Sequence, residues 1–352
     1  MKKLFYFFCA LFFSNQGFSA SWETLVEQRP DVQAYIQYMA TRYHYDPVKL
    51  TDMFNTIKTA SASEIALTAR PAIKQMNWKH DFIQWCQYRK IFITEKEIQG
   101  GADYWHKNKS WLSKAQDTYG VPPEIIVATI GVETKYAKNM GTFPVFQTIA
   151  VLAFDYKRRQ PYFLKELTAF LLYCRANDID PLSIQGSYAG AIGQPQFMPS
   201  NITRYAVDFD QKGSIDLVSD DADAIGSVGH YYQMNHWKTD QTIACQANIT
   251  NSKINELSKF DQKKTVFLDF LAEAGVYCPG FVIDHTPTKV VSLDSCEGPE
   301  YWLTFDNFKV LKSYNSSTDY AMALFQLSTE IKARYEKQYA KKQIQGGSKH
   351  TE

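Results

Sequence analysis

A mainly helical chain of the α+β class is what this sequence predicts, and three observations predict it. Apolar residues recur at helical spacing through most of the chain, as in Val32, Ile36, Met39 and Tyr43 and again in Val48, Met53, Phe54 and Ile57. Helix punctuation accompanies them: Thr94 with Glu97 makes a capping-box pattern, Gly120 suits a helix end, and Pro122 and Pro123 suit a first turn. From about residue 240 to 313 the signal becomes extended and is broken by Gly, Pro, Asn and Asp, which reads as a small sheet. With 352 residues, 45% of them apolar, the chain can bury a large core and is expected to form two or three packed units.

Taken in order, residues 1–20 read as a secretory signal: Lys2 and Lys3, an apolar run from Leu4 to Phe13, then small and polar residues to Ala20. The run is shorter than the about 20 residues that span a bilayer. A periplasmic or exported protein is expected, membrane-attached if the signal is kept. Residues 21–100 read as a helical opening domain, with one long helix expected from about 95 to Tyr119. A further helix is expected over about 162–176, with Phe163, Leu167, Phe170, Leu171 and Cys174 on its apolar side. Residues 186–200 carry three glycines and two prolines, which suits a close-packed turn lining a cleft.

Helix returns over 223–236, with Ile225, Val228 and Tyr232 on one side and Tyr231 beside it. Extended runs follow at 242–244, 290–293 and 302–311, and a closing helix starts near Asp319. The end, 344–352, reads as a disordered tail. Five cysteines remain after Cys9. Export permits disulfides; Cys278 with Cys296 is the expected bridge, and Cys86 and Cys174 are expected in the core.

Net charge is +1, which supplies no basic field for nucleic acid. The 22 Tyr and 7 Trp suit sugars instead, since each ring has a flat apolar face and a polar edge, although most such rings fill cores. Glu133 stands out. On the helix over 121–137 it shares a face with Ile126, Thr129, Ile130, Tyr136 and Ala137. Desolvation there would raise its pKa and hold a proton near neutral pH, as a general acid requires. Glu124, nine residues upstream, sits at the helix start, where the dipole explains a negative charge.

Several long motifs in register carry a family resemblance: Gly131-Val132-Glu133-Thr134, Gly186-Ser187-Tyr188-Ala189-Gly190-Ala191 through Gln196-Phe197-Met198-Pro199-Ser200, Tyr205-Ala206-Val207-Asp208-Phe209-Asp210, and Tyr314-Asn315-Ser316-Ser317-Thr318-Asp319-Tyr320. Over roughly residues 30–335 the chain resembles the lytic murein transglycosylase B family. The resemblance implies a lysozyme-like helical core over 101–239, an outer helical domain from 21–100 completed by 320–343, and a small inserted antiparallel β domain over 240–313. It also implies cleavage of peptidoglycan glycan strands between N-acetylmuramic acid and N-acetylglucosamine, leaving 1,6-anhydro ends. Carried over position by position, the catalytic acid falls on Glu133 and the sugar-groove residues on Tyr88, Ser187, Gln196, Tyr231, Tyr314, Asn315 and Tyr320. Ala137 departs from the family, which usually has Gly there.

Only one acid is well placed, whereas ordinary glycosidases use two. One suffices if the substrate's own N-acetyl oxygen attacks the anomeric carbon, as the resemblance implies. A muramidase that admits water and a non-catalytic wall-binding or assembly protein are the alternatives. Expected partners are glycan strands and the cell-wall synthesis or division machinery, with no nucleic acid, and a monomer is expected. The chemistry needs no cofactor. Structural calcium is a candidate at Asp208, Asp210, Ser214, Asp216 and Asp223, a run that resembles a calcium loop except that Lys212 holds the fifth position and Ser219 the twelfth.

Overall fold

The computed structural model describes residues 26–57, 84–249 and 264–340. The expected signal 1–20, with Cys9, and the tail 344–352 lie outside the described residues. The described residues form two compact units, one from 84–136, 228–249 and 264–340, the other from 26–57 and 137–227. The chain passes from one unit to the other after Tyr136 and after Ser227.

The first unit is built around the helix Pro123–Thr134, which packs against the helices Glu95–Lys107, Lys109–Tyr119 and Thr318–Tyr335. It is apolar all round: Ile125, Ile126, Val127, Ala128 and Ile130 are at most 1% exposed, so burial is wider than the single stripe expected. Truncating Ile126 to Ala would cost about 2–5 kcal/mol. Thr129, buried among them, donates to the Ile125 carbonyl at 2.8 Å and bonds the Tyr232 hydroxyl at 2.8 Å. The helix begins at Pro123 and the preceding one ends on Gly120, left-handed at φ 70°, as the punctuation predicts.

Thr94 accepts the Glu97 N–H at 3.2 Å, again as predicted. The single helix expected from 95 to 119 is two, Glu95–Lys107 and Lys109–Tyr119. They meet at Asn108, whose φ of −106° and ψ of 23° leave the helical well. Asn favours such breaks because its amide competes for backbone hydrogen bonds, and no Gly or Pro announces this one.

Four antiparallel strands run in the order Ala244–Gln246, Gly298–Thr304, Pro287–Ser295, Val266–Phe267. The two long central strands form a hairpin closed at Ser295 and Gly298. Leu268, Leu271, Val276, Val290, Tyr301 and Leu303 form a core of their own. The extended run expected over 302–311 stops at Thr304, and Asp306–Tyr314 is helix: Phe308, Val310 and Leu311 are buried from it, and Asp306 favours its first turn. The closing helix is Thr318–Tyr335.

The disulfides differ from the expected Cys278–Cys296 pair. Cys86 pairs with Cys296 and Cys245 with Cys278, at Cα separations of 5.7 and 6.0 Å. Cys86 is therefore a bridge residue and not a core thiol, because helix Trp85–Phe92 packs on strand Pro287–Ser295 and brings it to the hairpin turn.

In the second unit Val145–Asp155 packs on Gln160–Ala176, and Phe54, Phe146, Phe154 and Tyr35 interlock by ring contacts of 5.2–6.1 Å. Cys174 is buried and unbridged, as expected. Glu166, 1% exposed, accepts the Ser200 N–H at 2.8 Å and its hydroxyl at 2.7 Å. It thereby caps the short helix Pro199–Tyr205 that ends the Gly-rich turn.

Candidate active site

Glu133 is the penultimate residue of its helix and keeps only partial exposure. The helix does not continue through 137 as expected. Lys135 turns left-handed and its N–H bonds the Gly131 carbonyl at 2.9 Å, while Tyr136 and Ala137 follow at φ 60° and 64°. The turn folds Tyr136 back over Gly131, where an added Cβ would lie 2.6 Å from the ring. Its hydroxyl donates to the Glu97 carbonyl at 2.7 Å. Tyr136 and Ala137 therefore leave the helical face assigned to them, and the chain reverses at once after the acid.

On Glu133 itself, Oε1 accepts a hydrogen bond from the Tyr320 hydroxyl, donated across 187 positions of sequence. Burial pushes the Glu133 pKa up from the ordinary 4.5 to about 7, against the Tyr320 bond, which favours the carboxylate and lowers it. Burial and the Glu133 charge hold the hydroxyls of Tyr314 and Tyr320 well above their ordinary pKa, so both remain protonated donors. Tyr231 packs on Tyr314 at 4.8 Å and Tyr232 on Tyr314 at 5.7 Å. The arrangement is a carboxylic acid, protonated in part at neutral pH, against a wall of tyrosines.

Of the residues singled out in sequence, Tyr231, Tyr314 and Tyr320 are brought to this cluster. Asn315 lies beside it in the chain, buried, its Oδ1 accepting the Ser317 N–H at 3.1 Å. Ser317 in turn caps the helix of Tyr320 by accepting the Tyr320 N–H at 3.3 Å. Asn315 thus shapes the turn that presents Tyr320. Tyr88, in the same unit, is buried between Trp85 and Phe92 at 6.1 and 5.4 Å. Tyr232, by its spacing a helix-core residue, is tied by its bond to Thr129 one turn before the acid, and nothing in the sequence distinguishes it from Tyr231 for that role. Glu124 is held by Lys332 at 2.9 Å and serves as a helix-start charge.

Ser187 and Gln196 belong to the second unit. Ser187 Oγ accepts the N–H groups of Ala189 and Ala191 at 3.3 and 3.0 Å, which leaves its proton to donate. Gln196, left-handed at φ 49°, gives both amide hydrogens to the carbonyls of Met140 and Gly193 at 3.1 and 2.9 Å, so Oε1 is the acceptor it can offer.

Comparison with known proteins decides the family. The model of the transglycosylase SLT domain matches residues 27–329. The membrane-bound lytic murein transglycosylase B of Escherichia coli is 36% identical over 303 residues, 86% of this chain and 82% of that protein. This chain belongs to the lytic murein transglycosylase family. The solved structure of soluble lytic transglycosylase SltB1 from Pseudomonas aeruginosa matches with a TM-score of 0.76 at 36% identity, over 87% of this chain and 99% of that one. The E. coli lytic transglycosylase Slt35, solved in complex with calcium, matches with a TM-score of 0.76 at 35% identity, over 87% and 94%. As members of this family are peptidoglycan lytic transglycosylases, the chain is an enzyme of that class, a lyase acting on glycosidic bonds, with the lysozyme-like fold.

The transglycosylase also carries the acidic loop. Asp208, Asp210 and Asp223 converge, with one oxygen from each within 4.8 Å of the others. Ser214 is exposed, and Asp216 spends its carboxylate on the N–H groups of Val218 and Ser219 at 2.8 and 3.0 Å and on the Ser219 hydroxyl. Asp216 stands outside the converging set. No helix among the described residues is long and apolar enough to cross a membrane.

Proposed function

We propose that this transglycosylase cleaves the bond between N-acetylmuramic acid and N-acetylglucosamine with Glu133 as sole acid and base, leaving 1,6-anhydro-N-acetylmuramic acid. The observation that carries this reading is the half-buried Glu133 carboxyl with its pKa raised to about 7 and Tyr320 bound to one oxygen. In the first step Glu133 gives its proton to the glycosidic oxygen as the C1–O bond breaks, while the N-acetyl carbonyl oxygen of the same sugar bonds C1. In the second, the carboxylate takes the proton of the C6 hydroxyl as O6 bonds C1 and the acetamido oxygen leaves. The acid is regenerated and no water is consumed. A tethered nucleophile acts at high effective concentration, so a second carboxylate is not required.

Tyr320 steadies the carboxylate between the steps, because a hydrogen bond to the charged form favours it. Tyr231 and Tyr314 offer ring faces and hydroxyls to the glycan, and Ser187 a proton and Gln196 an oxygen suited to an acetamido group. Tyr88 and Asn315 act on the groove mainly by shaping it, through the aromatic column and the turn before Tyr320. Work in the periplasm is supported by the leader-like residues 1–20 and by two disulfides, which persist in oxidising compartments.

Mass analysis of products from purified sacculi tests the reading. Wild-type protein is expected to release muropeptides one water lighter than hydrolytic ones, and Glu133→Gln to lose at least about 10³-fold in turnover while still binding sacculi. Reducing ends among the products would sink it in favour of a muramidase. Undiminished turnover by the Gln variant would remove Glu133 from the chemistry.

A further inference from the structure

We propose that the Lys212 ammonium takes the place of a divalent cation in the acidic loop over 208–223, so that this chain shapes the loop by itself and does not use calcium. The loop has the spacing of a calcium loop, yet its donor set does not fit one. Lys212 stands at the fifth position, where such loops supply an oxygen, and its Nζ lies 2.5 Å from Asp210 Oδ2 and 2.7 Å from Asp220 Oδ2. One substitution therefore removes a donor and adds a positive charge at the mouth of the site.

The other oxygens are also engaged. Asp208 accepts the N–H of Lys212 at 3.0 Å on Oδ1 and that of Gly213 at 2.7 Å on Oδ2. Asp223 accepts the Phe209 and Asp216 N–H groups at 2.8 Å, one on each oxygen. Asp210 Oδ1 takes the Lys212 N–H at 3.3 Å. Every oxygen of the three converging carboxylates thus already receives a donor from the chain. Calcium asks for six to eight oxygens at about 2.3–2.6 Å, commonly with a bidentate Glu closing the loop. Here Ser219 replaces that Glu, and its hydroxyl is turned to Asp216. An ammonium needs fewer acceptors than a hard dication, and it finds two carboxylates.

The inference involves no residue of the Glu133 cluster, so it stands or falls apart from the proposed chemistry. Calorimetric titration of the metal-stripped full-length protein with calcium chloride tests it, with the thermal midpoint measured in calcium and in chelator. The wild type is expected to bind calcium no tighter than about 1 mM, the weak end of known loops, and its midpoint to move by less than about 1 °C. Lys212→Asp, which restores an oxygen donor, is expected to bind at least about tenfold tighter and to gain a calcium-dependent midpoint. A Lys212→Asp protein that folds only with calcium would count as that gain, and Lys212→Asn serves as the second variant if the Asp protein does not fold at all. Wild-type binding in the micromolar range would overturn the proposal. So would a weak wild type with an equally weak folded variant, since the ammonium would then not be what excludes the ion.

Discussion

Two regions of this protein gather acidic side chains, and they use them in opposite ways. Around Glu133 a single carboxyl is shielded by the apolar helix Pro123–Thr134 and meets one hydroxyl, that of Tyr320. In the 208–223 loop three carboxylates converge, but each meets backbone N–H groups or the Lys212 ammonium. At Glu133 desolvation outweighs the one donor and favours the protonated form. Residue type is alike in the two places. What separates them is the partner each oxygen meets, one tyrosine hydroxyl at Glu133 and backbone N–H groups or an ammonium in the loop.

The comparison predicts opposite signs for neutralising mutations. The Glu133 pKa rises on folding, from 4.5 to about 7, so the stability linked to its protonated form is complete below about pH 4.5 and is lost as pH rises through about 7. Glu133→Gln should therefore be more stable than the wild type at pH 8, by on the order of 1–3 kcal/mol, and equal to it at pH 4. Denaturant titrations at the two pH values read this directly. A variant no more stable at pH 8 would break the contrast.

Tyr320→Phe sharpens it. Losing the donor removes the one bond that favours the carboxylate, so the Glu133 pKa should rise further and the alkaline limb of the pH–rate profile should move up. The turnover number should fall about tenfold, as for the loss of one hydrogen bond to a charged group. An unmoved alkaline limb would mean that the tyrosine is mere packing. In the loop, Asp208→Ala leaves the Gly213 N–H without its acceptor and the Lys212 N–H with only its longer bond to Asp210, and should destabilise by about 1 kcal/mol, with turnover on sacculi within about twofold of wild type.

The smallest effect concerns the turn after the acid. Ala137 holds φ 64°, a conformation that costs a residue with a Cβ about 1 kcal/mol and glycine little. Ala137→Gly should raise stability by up to about 1 kcal/mol, reduced by the extra freedom glycine gains in the unfolded chain, as denaturant midpoints would show.

Much of the acid's local setting could be read from the sequence. Gly120, Pro122 and Pro123 mark the helix start because their effects are confined to neighbouring backbone, and the Thr94–Glu97 cap spans one turn. The apolar residues around Glu133 foretold a shielded carboxyl. What was not legible depends on contacts distant in sequence. Tyr320 reaches Glu133 from 187 positions away, and Cys86 meets Cys296 across 210, pairings that only the packed helices and hairpin create. The left-handed turn at 135–137 was hidden for another reason: none of Lys135, Tyr136 and Ala137 is glycine, so their backbone conformation has no marker in the residues themselves. The break at Asn108 was hidden in the same way. In the loop, position five betrayed Lys212, but not that its ammonium would reach both Asp210 and Asp220.

The most direct test of the account is the titration of Glu133 itself, followed by the carboxyl carbon signal of glutamate-labelled protein and assigned by its disappearance in Glu133→Gln. The account predicts a midpoint near pH 7. A midpoint near the ordinary 4.5 would contradict it, since the side chain would then hold no proton to deliver at neutral pH.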